Sequence, residues 1–348
     1  MPSVNLPKIF LLAFFIALLS TQGIFAAEHK DFSFVSMADP QPFRVDLDKS
    51  RDEPEWKDRA PRIFSSLMQL DALPARKARG LKVAYAIVNG DMTEFGRRGQ
   101  REAYDVYLGR GDSAAAVLKT YIGLGNHDYE NNVFQKSALR KFCAEAPEGY
   151  GIAACAMHSL EWVYAKIRNY ALKNKSIDYS EDKVFRGKGS LAYSWDEGDV
   201  HFVQLHNYPG YEVRLTADKA GRQVLAEITS SYAWLKTDLA AARARGLKRI
   251  ILNYHQPGKS FDNRLKDLAK EYNIVAIFTG HSHAFGKRPL WHDAQDGSRA
   301  VPIFVAGAFF LGDYYLVDVM RHEIVVTEYN GISGQPVRGV NSHRISTP

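Results

Sequence analysis

The chain has 348 residues, 46% of them apolar, with 45 Lys and Arg against 39 Asp and Glu for a formal net charge of +6. This is ordinary globular composition, enough for a substantial core in one large domain or two small ones. The charges are interspersed, and no Lys/Arg block forms the kind of tail that binds nucleic acid. The basic excess therefore points only weakly toward an anionic substrate or surface.

Residues 1–27 read as a signal peptide and stand apart from the fold. Lys8 gives a basic flank, 9–19 is uninterrupted apolar sequence, and 20–27 ends in small residues, with cleavage expected after Ala26 or Ala27. The apolar stretch is short of the roughly 20 residues of a membrane span, although an uncleaved anchor is the alternative. Export, to a periplasm or to the outside, is the expectation. In that setting the cysteines, Cys143 and Cys155, would close a disulfide loop, contributing about 3 kcal/mol through the unfolded chain. The other reading is two separate thiols. They are not spaced for zinc.

A strand is expected over 31–39, with Pro40 holding Asp39 extended. A charged loop covers 45–56. Ile63, Leu67 and Leu70 repeat at helical spacing over 60–70, with Pro61 in the first turn. A strand over 83–88, a helix within 95–108 and a strand over 117–124 continue an alternation that indicates a layered α/β domain. The stretch 131–188 departs from it. It holds the cysteines, Gly149, Gly151 and an aromatic-rich helix over 159–172. It reads as a cap over the core or as a wall of a cleft. From 190 onward, strands 191–195 and 200–205 form a hairpin around Asp196-Glu197-Gly198-Asp199. A helix over 228–244, a strand over 249–255, a helix over 261–272 and a strand over 273–278 follow. Strands over 301–305, 314–319 and 323–329 complete a domain spanning 28–330, and the polar tail 331–348 is expected to be loose.

Five apolar strands end in polar side chains. The first leads into Asp39-Pro40-Gln41, the second into Asn89-Gly90-Asp91, and the third into Gly125-Asn126-His127-Asp128. The others reach Asn253-Tyr254-His255 and Gly280-His281-Ser282-His283. Strand ends that deliver Asp, Asn, Gln and His are a common way to build a reaction centre. The candidate ligands Asp39, Gln41, Asp91, Asn126, His255, His281 and His283 are oxygen and nitrogen donors without a thiolate, a set that suits two first-row ions such as Mn, Fe or Zn. Such a pair shares a carboxylate and a hydroxide and attracts a phosphate group.

The ordered set Asp39-x-Gln41, Gly90-Asp91, Gly125-Asn126-His127-Asp128, His255 and Gly280-His281-x-His283 resembles the calcineurin-like metallophosphoesterases. That resemblance implies a four-layer α/β/β/α sandwich with a dinuclear metal site. Asp39, Gln41, Asp91 and His283 would bind one metal, with Asp91 bridging. Asn126, His255 and His281 would complete the other. His127 would sit beside the substrate phosphate, Asn126 would help stabilise it, and Asp128 would orient the imidazole. The reaction implied is hydrolysis of a phosphate ester by a metal-bridging hydroxide. Two positions depart from common patterns. Gln41 stands where most of the family has His, and acts either as a weaker ligand or from outside the ligand shell. Glu94 stands where purple acid phosphatases carry a metal-binding Tyr, which disfavours that subclass.

The substrate is less defined. Tyr208, Trp162, Tyr164, Phe309 and Phe310 would line a cleft for an aromatic or lipid leaving group, or belong to core and cap. Export of a basic chain permits phosphomonoesters and phosphodiesters, including lipid head groups reached by peripheral membrane contact. A second class of function is an exported binding or toxin-like module that keeps the fold with little or no turnover.

Overall fold

The computed structural model describes residues 29–47, 53–107, 118–130, 154–182, 186–219, 222–290 and 300–347. The expected signal peptide lies outside these residues, as does 131–153. No described helix is long and apolar enough to cross a membrane.

One six-stranded sheet contains β1 (Phe32–Met37), β2 (Val83–Val88), β3 (Thr120–Ile122), β15 (Asp313–Val319), β16 (Glu323–Asn330) and β17 (Val337–Ser346). Its order is β17-β16-β15-β1-β2-β3. A seven-stranded sheet contains β4 (Ser176–Ile177), β7 (Tyr193–Glu197), β8 (Val200–Gln204), β11 (Arg249–Asn253), β12 (Ile274–Thr279), β13 (Gly286–Pro289) and β14 (Pro302–Val305). Its order is β13-β14-β12-β11-β8-β7-β4. The helices are α1 (Trp56–Gln69), α2 (Pro74–Arg79), α3 (Arg98–Tyr107), α4 (Ala154–Asn169), α5 (Tyr232–Ala244) and α6 (Lys259–Glu271).

Side-chain alternation shows how the layers stack. In β11, Ile251 joins one apolar cluster while Ile250 and Leu252 join another. Phe202 and Val203 in β8, and Phe304 and Ile303 in β14, divide the same way. This is the period-two pattern of a strand buried on both faces. The first cluster lies between the sheets: Phe34 of β1 meets Phe202 at 5.3 Å and Phe278 at 5.6 Å, both edge to face. The second packs Leu235 and Leu239 of α5 and Leu265 and Leu268 of α6 against the seven-stranded sheet. Ile63 and Leu67 of α1 and Tyr104 of α3 pack with the six-stranded sheet. The result is central sheets flanked by helices, the expected α/β architecture.

Topology places the reactive ends together. β1, β2 and β3 run parallel, as do β8, β11, β12 and β14. Parallel strands present their carboxyl ends at one edge of a sheet, where ligands bind in open α/β folds. Those ends lead into Asp39, Asp91 and Asn126 from one sheet, and His255 and His281 from the other.

Several expectations need correction. The tail expected to be loose contains β17, a ten-residue strand that pairs antiparallel with β16 on either side of a register shift. Its outward side chains are mostly polar, because an edge strand needs only its backbone and one apolar contact, here Ile345. The segment before α5 holds a hairpin, β9 (Val213–Lys219) and β10 (Arg222–Ile228), so the helix starts at Tyr232 instead of 228. With β5 (Ser180–Glu181) and β6 (Arg186–Gly189) it forms a four-stranded sheet, order β5-β6-β10-β9. The expected Cys143–Cys155 disulfide falls on Cys143, which lies outside the described residues; Cys155 itself is disulfide-bonded, and no free cysteine occurs among the described residues. Within the expected cap, α4 contributes Leu160, Val163 and Ile167 to the main core.

Candidate metal centre

Asp39, Gln41, Asp91 and His255 are all 0–1% exposed, and Asn126 is 8% exposed. Two ligand groups emerge. Asp91, His255 and His281 bring donor atoms within 4.8 Å of one another, and so do Asp39, Asp91 and His283. Asp91 belongs to both, as a bridging carboxylate would.

The backbone is bent to achieve this. Asp39 (φ 54°), Gln41 (29°), Asp91 (49°), His281 (75°) and His283 (58°) all occupy the left-handed region, which is unfavourable for residues with a Cβ. Asp39 and Asp91 are joined through their loops: Asp39 N–H donates to the Gly90 carbonyl at 3.1 Å, and Gln41 N–H to the Asp91 carbonyl at 3.3 Å. A Cβ on Gly125 would lie 2.2 Å from Asp91 Oδ1 and 2.3 Å from its backbone nitrogen, so only glycine lets the third loop close on the second.

The donor atoms fit a cation. His255 Nδ1 lies 2.8 Å from the Asn89 carbonyl. A carbonyl only accepts, so Nδ1 carries hydrogen and the neutral ring points its Nε2 lone pair inward. There it meets Asn126 Oδ1 at 2.9 Å and Asp91 Oδ2 at 3.2 Å. Asn126 Oδ1 also lies 3.0 Å from His281 Nδ1. In the other group, His283 Nε2 lies 3.2 Å from Asp39 Oδ1. Asp39 Oδ1 and Asp91 Oδ2 are buried without a hydrogen-bond partner. Converging lone pairs and orphaned carboxylate oxygens in a dry site require positive charge.

A proton can supply that charge in part. Burial works against protonating His255, but the Asp91 carboxylate beside it, with Asp39 behind, pushes its pKa up to about 9. Burial works against ionising Asp91, yet the charges of His255 and His127 hold it well below the usual carboxylate range. Burial and the neighbouring His255 lower His281.

His127 stands at the rim with its side chain 23% exposed. Its backbone N–H donates to Asp91 Oδ1 at 2.8 Å, and its Nδ1 donates to the Glu94 carbonyl at 2.8 Å. Burial lowers its pKa, and the Asp91 and Glu94 charges raise it to a net upward shift. The Glu94 carbonyl accepts the Nδ1 hydrogen and so holds the ring. Asp128, expected to orient that ring, accepts backbone N–H from Met92 (3.1 Å), Thr93 (2.8 Å) and Gly125 (2.9 Å), and the Thr93 hydroxyl at 2.7 Å. It fastens the second loop to the third. Burial and the Asp91 charge push its carboxyl up to about 7, against the donors from Gly125 and Thr93.

Sequence reasoning missed Arg44. Its guanidinium donates to Gln41 Oε1 at 3.2 Å, to Glu94 Oε2 at 3.3 Å, and to the Asp46 and Leu47 carbonyls. It also lies 4.9 Å over the Phe310 ring. Its place three residues after Gln41 was the only signal. Of the aromatics expected at a cleft, Phe310 is at the site, 5.4 Å from the His283 ring. Trp162 is a cap residue, packed on Tyr104 and bonded to Asp105. Tyr164 meets Tyr179 edge to face, Phe309 is core, and half-buried Tyr208 packs on Tyr211.

Comparison with known proteins assigns the family. The family model described as calcineurin-like phosphoesterase matches residues 58–285, more than half of the chain, beginning after Asp39 and Gln41. Among curated relatives, purple acid phosphatase 23 of Arabidopsis thaliana is 29% identical over 107 residues, covering 28% of this chain and 20% of that protein. Purple acid phosphatase 15 of the same plant is 28% identical, covering 28% and 18%. The chain thus spans about a fifth of these relatives' length. Among solved structures, Vacuolar Protein Sorting 29 from Cryptosporidium parvum has a TM-score of 0.35 at 10% identity, covering 91% of this chain and 99% of that one. A metallophosphoesterase from Sphaerobacter thermophilus has a TM-score of 0.31 at 12% identity, covering 91% and 89%. These superpositions are loose, and no residue role follows from them. The family match across residues that include Asp91, Asn126, His255, His281 and His283 makes the chain a member of the calcineurin-like phosphoesterase family.

Proposed function

We propose that this chain is an exported metal-dependent phosphoric ester hydrolase acting on small-molecule or lipid phosphate esters. The observation that carries this reading is Asp91, a buried carboxylate shared by two groups of inward-facing ligands. Asp39, Asp91 and His283 would hold one ion, and Asp91, Asn126, His255 and His281 the other, with Mn, Fe and Zn all compatible with the oxygen and nitrogen donors. Such ions supply Lewis-acid polarisation of phosphoryl oxygens and a nucleophile available at neutral pH.

The protein's own groups complete the chemistry. The Asn89 carbonyl fixes the tautomer of His255, and Asn126 turns its oxygen toward both imidazoles. Asp128 locks the loops that carry Asp91 and Asn126. With Nδ1 engaged by Glu94, His127 Nε2 is the atom that binds a phosphoryl oxygen and gives a proton to the leaving oxygen. The ester P–O bond breaks, water supplies the new oxygen, and the leaving alcohol departs protonated.

The test pairs metal content with hydrolysis of bis-p-nitrophenyl phosphate and p-nitrophenyl phosphate by the same preparation. Near two ions per chain, with turnover falling by about 10²–10⁴ in His127→Ala at unchanged metal content, is expected. The diester-to-monoester rate ratio then selects the substrate class. Metal uptake without turnover would replace this reading with the binding module. No uptake of Mn, Fe or Zn would end it.

A further inference from the structure

Gln41 departs from the ligand set in a way that its surroundings explain. Its side-chain oxygen and nitrogen could in principle exchange places, but Arg44 decides between them. A guanidinium only donates, so the amide atom 3.2 Å from it must be the oxygen. Arg44 in turn cannot swing away. It is 8% exposed, pairs with buried Glu94, donates to the Asp46 and Leu47 carbonyls, and stacks on Phe310. The oxygen of Gln41 is therefore engaged by a fixed cation. The amide nitrogen is left fully buried without a hydrogen-bond partner. An orphaned N–H₂ has no use as a metal ligand, because it has no lone pair to give. It is suited to an anion oxygen entering the site.

The same ion pair reaches His127. Glu94 Oε2 meets Arg44, its Oε1 lies 3.7 Å from His127 Nδ1, and its backbone carbonyl holds that ring. Gln41 and His127 are thus anchored at opposite ends of one buried Arg44–Glu94 pair.

We propose that Gln41 is a hydrogen-bond donor to a phosphoryl oxygen, pinned in that orientation by Arg44, and is not an oxygen ligand of the metal centre. This inference rests on the hydrolase reading above. Arg44 is a positioning residue, and Gln41 touches substrate. The side chain thus adds a neutral donor for the phosphate in place of a metal ligand.

The experiment uses the full chain loaded with Mn²⁺. It compares wild type, Gln41→Ala, Arg44→Met and the double variant for Mn per chain, Mn²⁺ affinity and affinity for inorganic phosphate, with circular dichroism as the folding control. Gln41→Ala should keep its ions, with Mn²⁺ affinity within about twofold, and lose about tenfold or more in phosphate affinity, as for a hydrogen bond to a charged group. Arg44→Met should lose phosphate affinity comparably, and the double variant should be no worse than the weaker single, since both remove one unit. Arg44→Lys keeps the charge pair with Glu94 without the fork that holds the amide, and replaces Arg44→Met if the latter unfolds. Loss of an ion, or a Mn²⁺ affinity about tenfold weaker in Gln41→Ala, would make Gln41 a ligand and overturn the inference while leaving the hydrolase reading intact. Unchanged phosphate affinity in a Gln41→Ala protein that retains its ions would overturn it as well. A wild type that takes up no Mn²⁺ would remove the hydrolase reading, and this inference with it.

Discussion

Gly125→Ala should abolish metal binding without touching a ligand side chain. The added Cβ would sit 2.2 Å from Asp91 Oδ1 and 2.3 Å from its backbone nitrogen, whereas ordinary contact begins near 3.4 Å, so Asp91 and residue 125 must separate by about 1.2 Å. Neither side can yield alone. Gly125 N–H is tied to Asp128, Asp91 Oδ1 accepts the His127 N–H, and the Asp91 carbonyl accepts the Gln41 N–H. Metal–ligand distances tolerate only about ±0.2 Å. Because Asp91 serves both ligand groups, displacement on the order of 1 Å should weaken both and lower turnover about a hundredfold or more. Calorimetric Mn²⁺ titration and ester hydrolysis would measure it. Gly286→Ala is the control, since its Cβ would meet nothing closer than 3.6 Å. A folded Gly125→Ala protein with Mn²⁺ affinity within about threefold of wild type would refute the claim that loop approach sets the donor geometry.

Other outcomes follow from buried groups elsewhere. His201 is fully buried between Asp196 (2.7 Å) and Asp238 (2.8 Å), so His201→Leu should cost about 3 kcal/mol in urea unfolding by leaving the buried Asp238 carboxylate without its cationic partner, Asp196 keeping Arg245. Burial lowers the His201 pKa, but the two carboxylates raise it on balance, so its charged-state stabilisation is complete below about pH 6.5 and fades as pH rises through the raised value. Burial raises Asp196, but bonds from His201, Arg245 and Asn174 lower it on balance; its contribution is present above about pH 4 and is lost as pH falls through the lowered value. A His201→Leu penalty that does not change with pH would contradict this account. Saturating Mn²⁺ at about a thousandfold over its dissociation constant should stabilise the fold by about 4 kcal/mol, seen as a higher thermal midpoint that EDTA reverses. Truncation after Pro336 removes β17 and the buried Ile345, which should cost about 2 kcal/mol and expose the β16 edge to self-association, detectable by light scattering.

The ligand loops were legible because their chemistry sits at the ends of strongly apolar strands: 83–88 was read with its true bounds, and Asp39, Asp91, Asn126, His255, His281 and His283 converge. What escaped depends on partners distant in sequence. Nothing local marks Val337–Ser346 as a strand, since it buries little and is defined by hydrogen bonds to β16. The β9–β10 hairpin is weakly apolar and lies beside a clear helix, which drew its last residue into the wrong element. Arg44 reads as one more charge in a charged loop until Glu94, fifty residues on, gives it a counterion. Asp128 follows His127, yet its carboxylate is spent on backbone groups of the second loop, a preference that only the folded approach of the two loops creates.

Five of the seven expected ligand residues, Asp39, Gln41, Asp91, His281 and His283, have a left-handed backbone. Each such residue carries a conformational cost on the order of 1 kcal/mol that a glycine would not. Glycine at these positions would relieve the strain and remove the side chains that form the site. The chain instead keeps a side chain at all five. Its resting stability is therefore below what its topology permits, by the summed strain at these five positions. Glycine variants at these positions would be heat-hardy relics of the protein, useful as inert frameworks and as a measure of what the site costs.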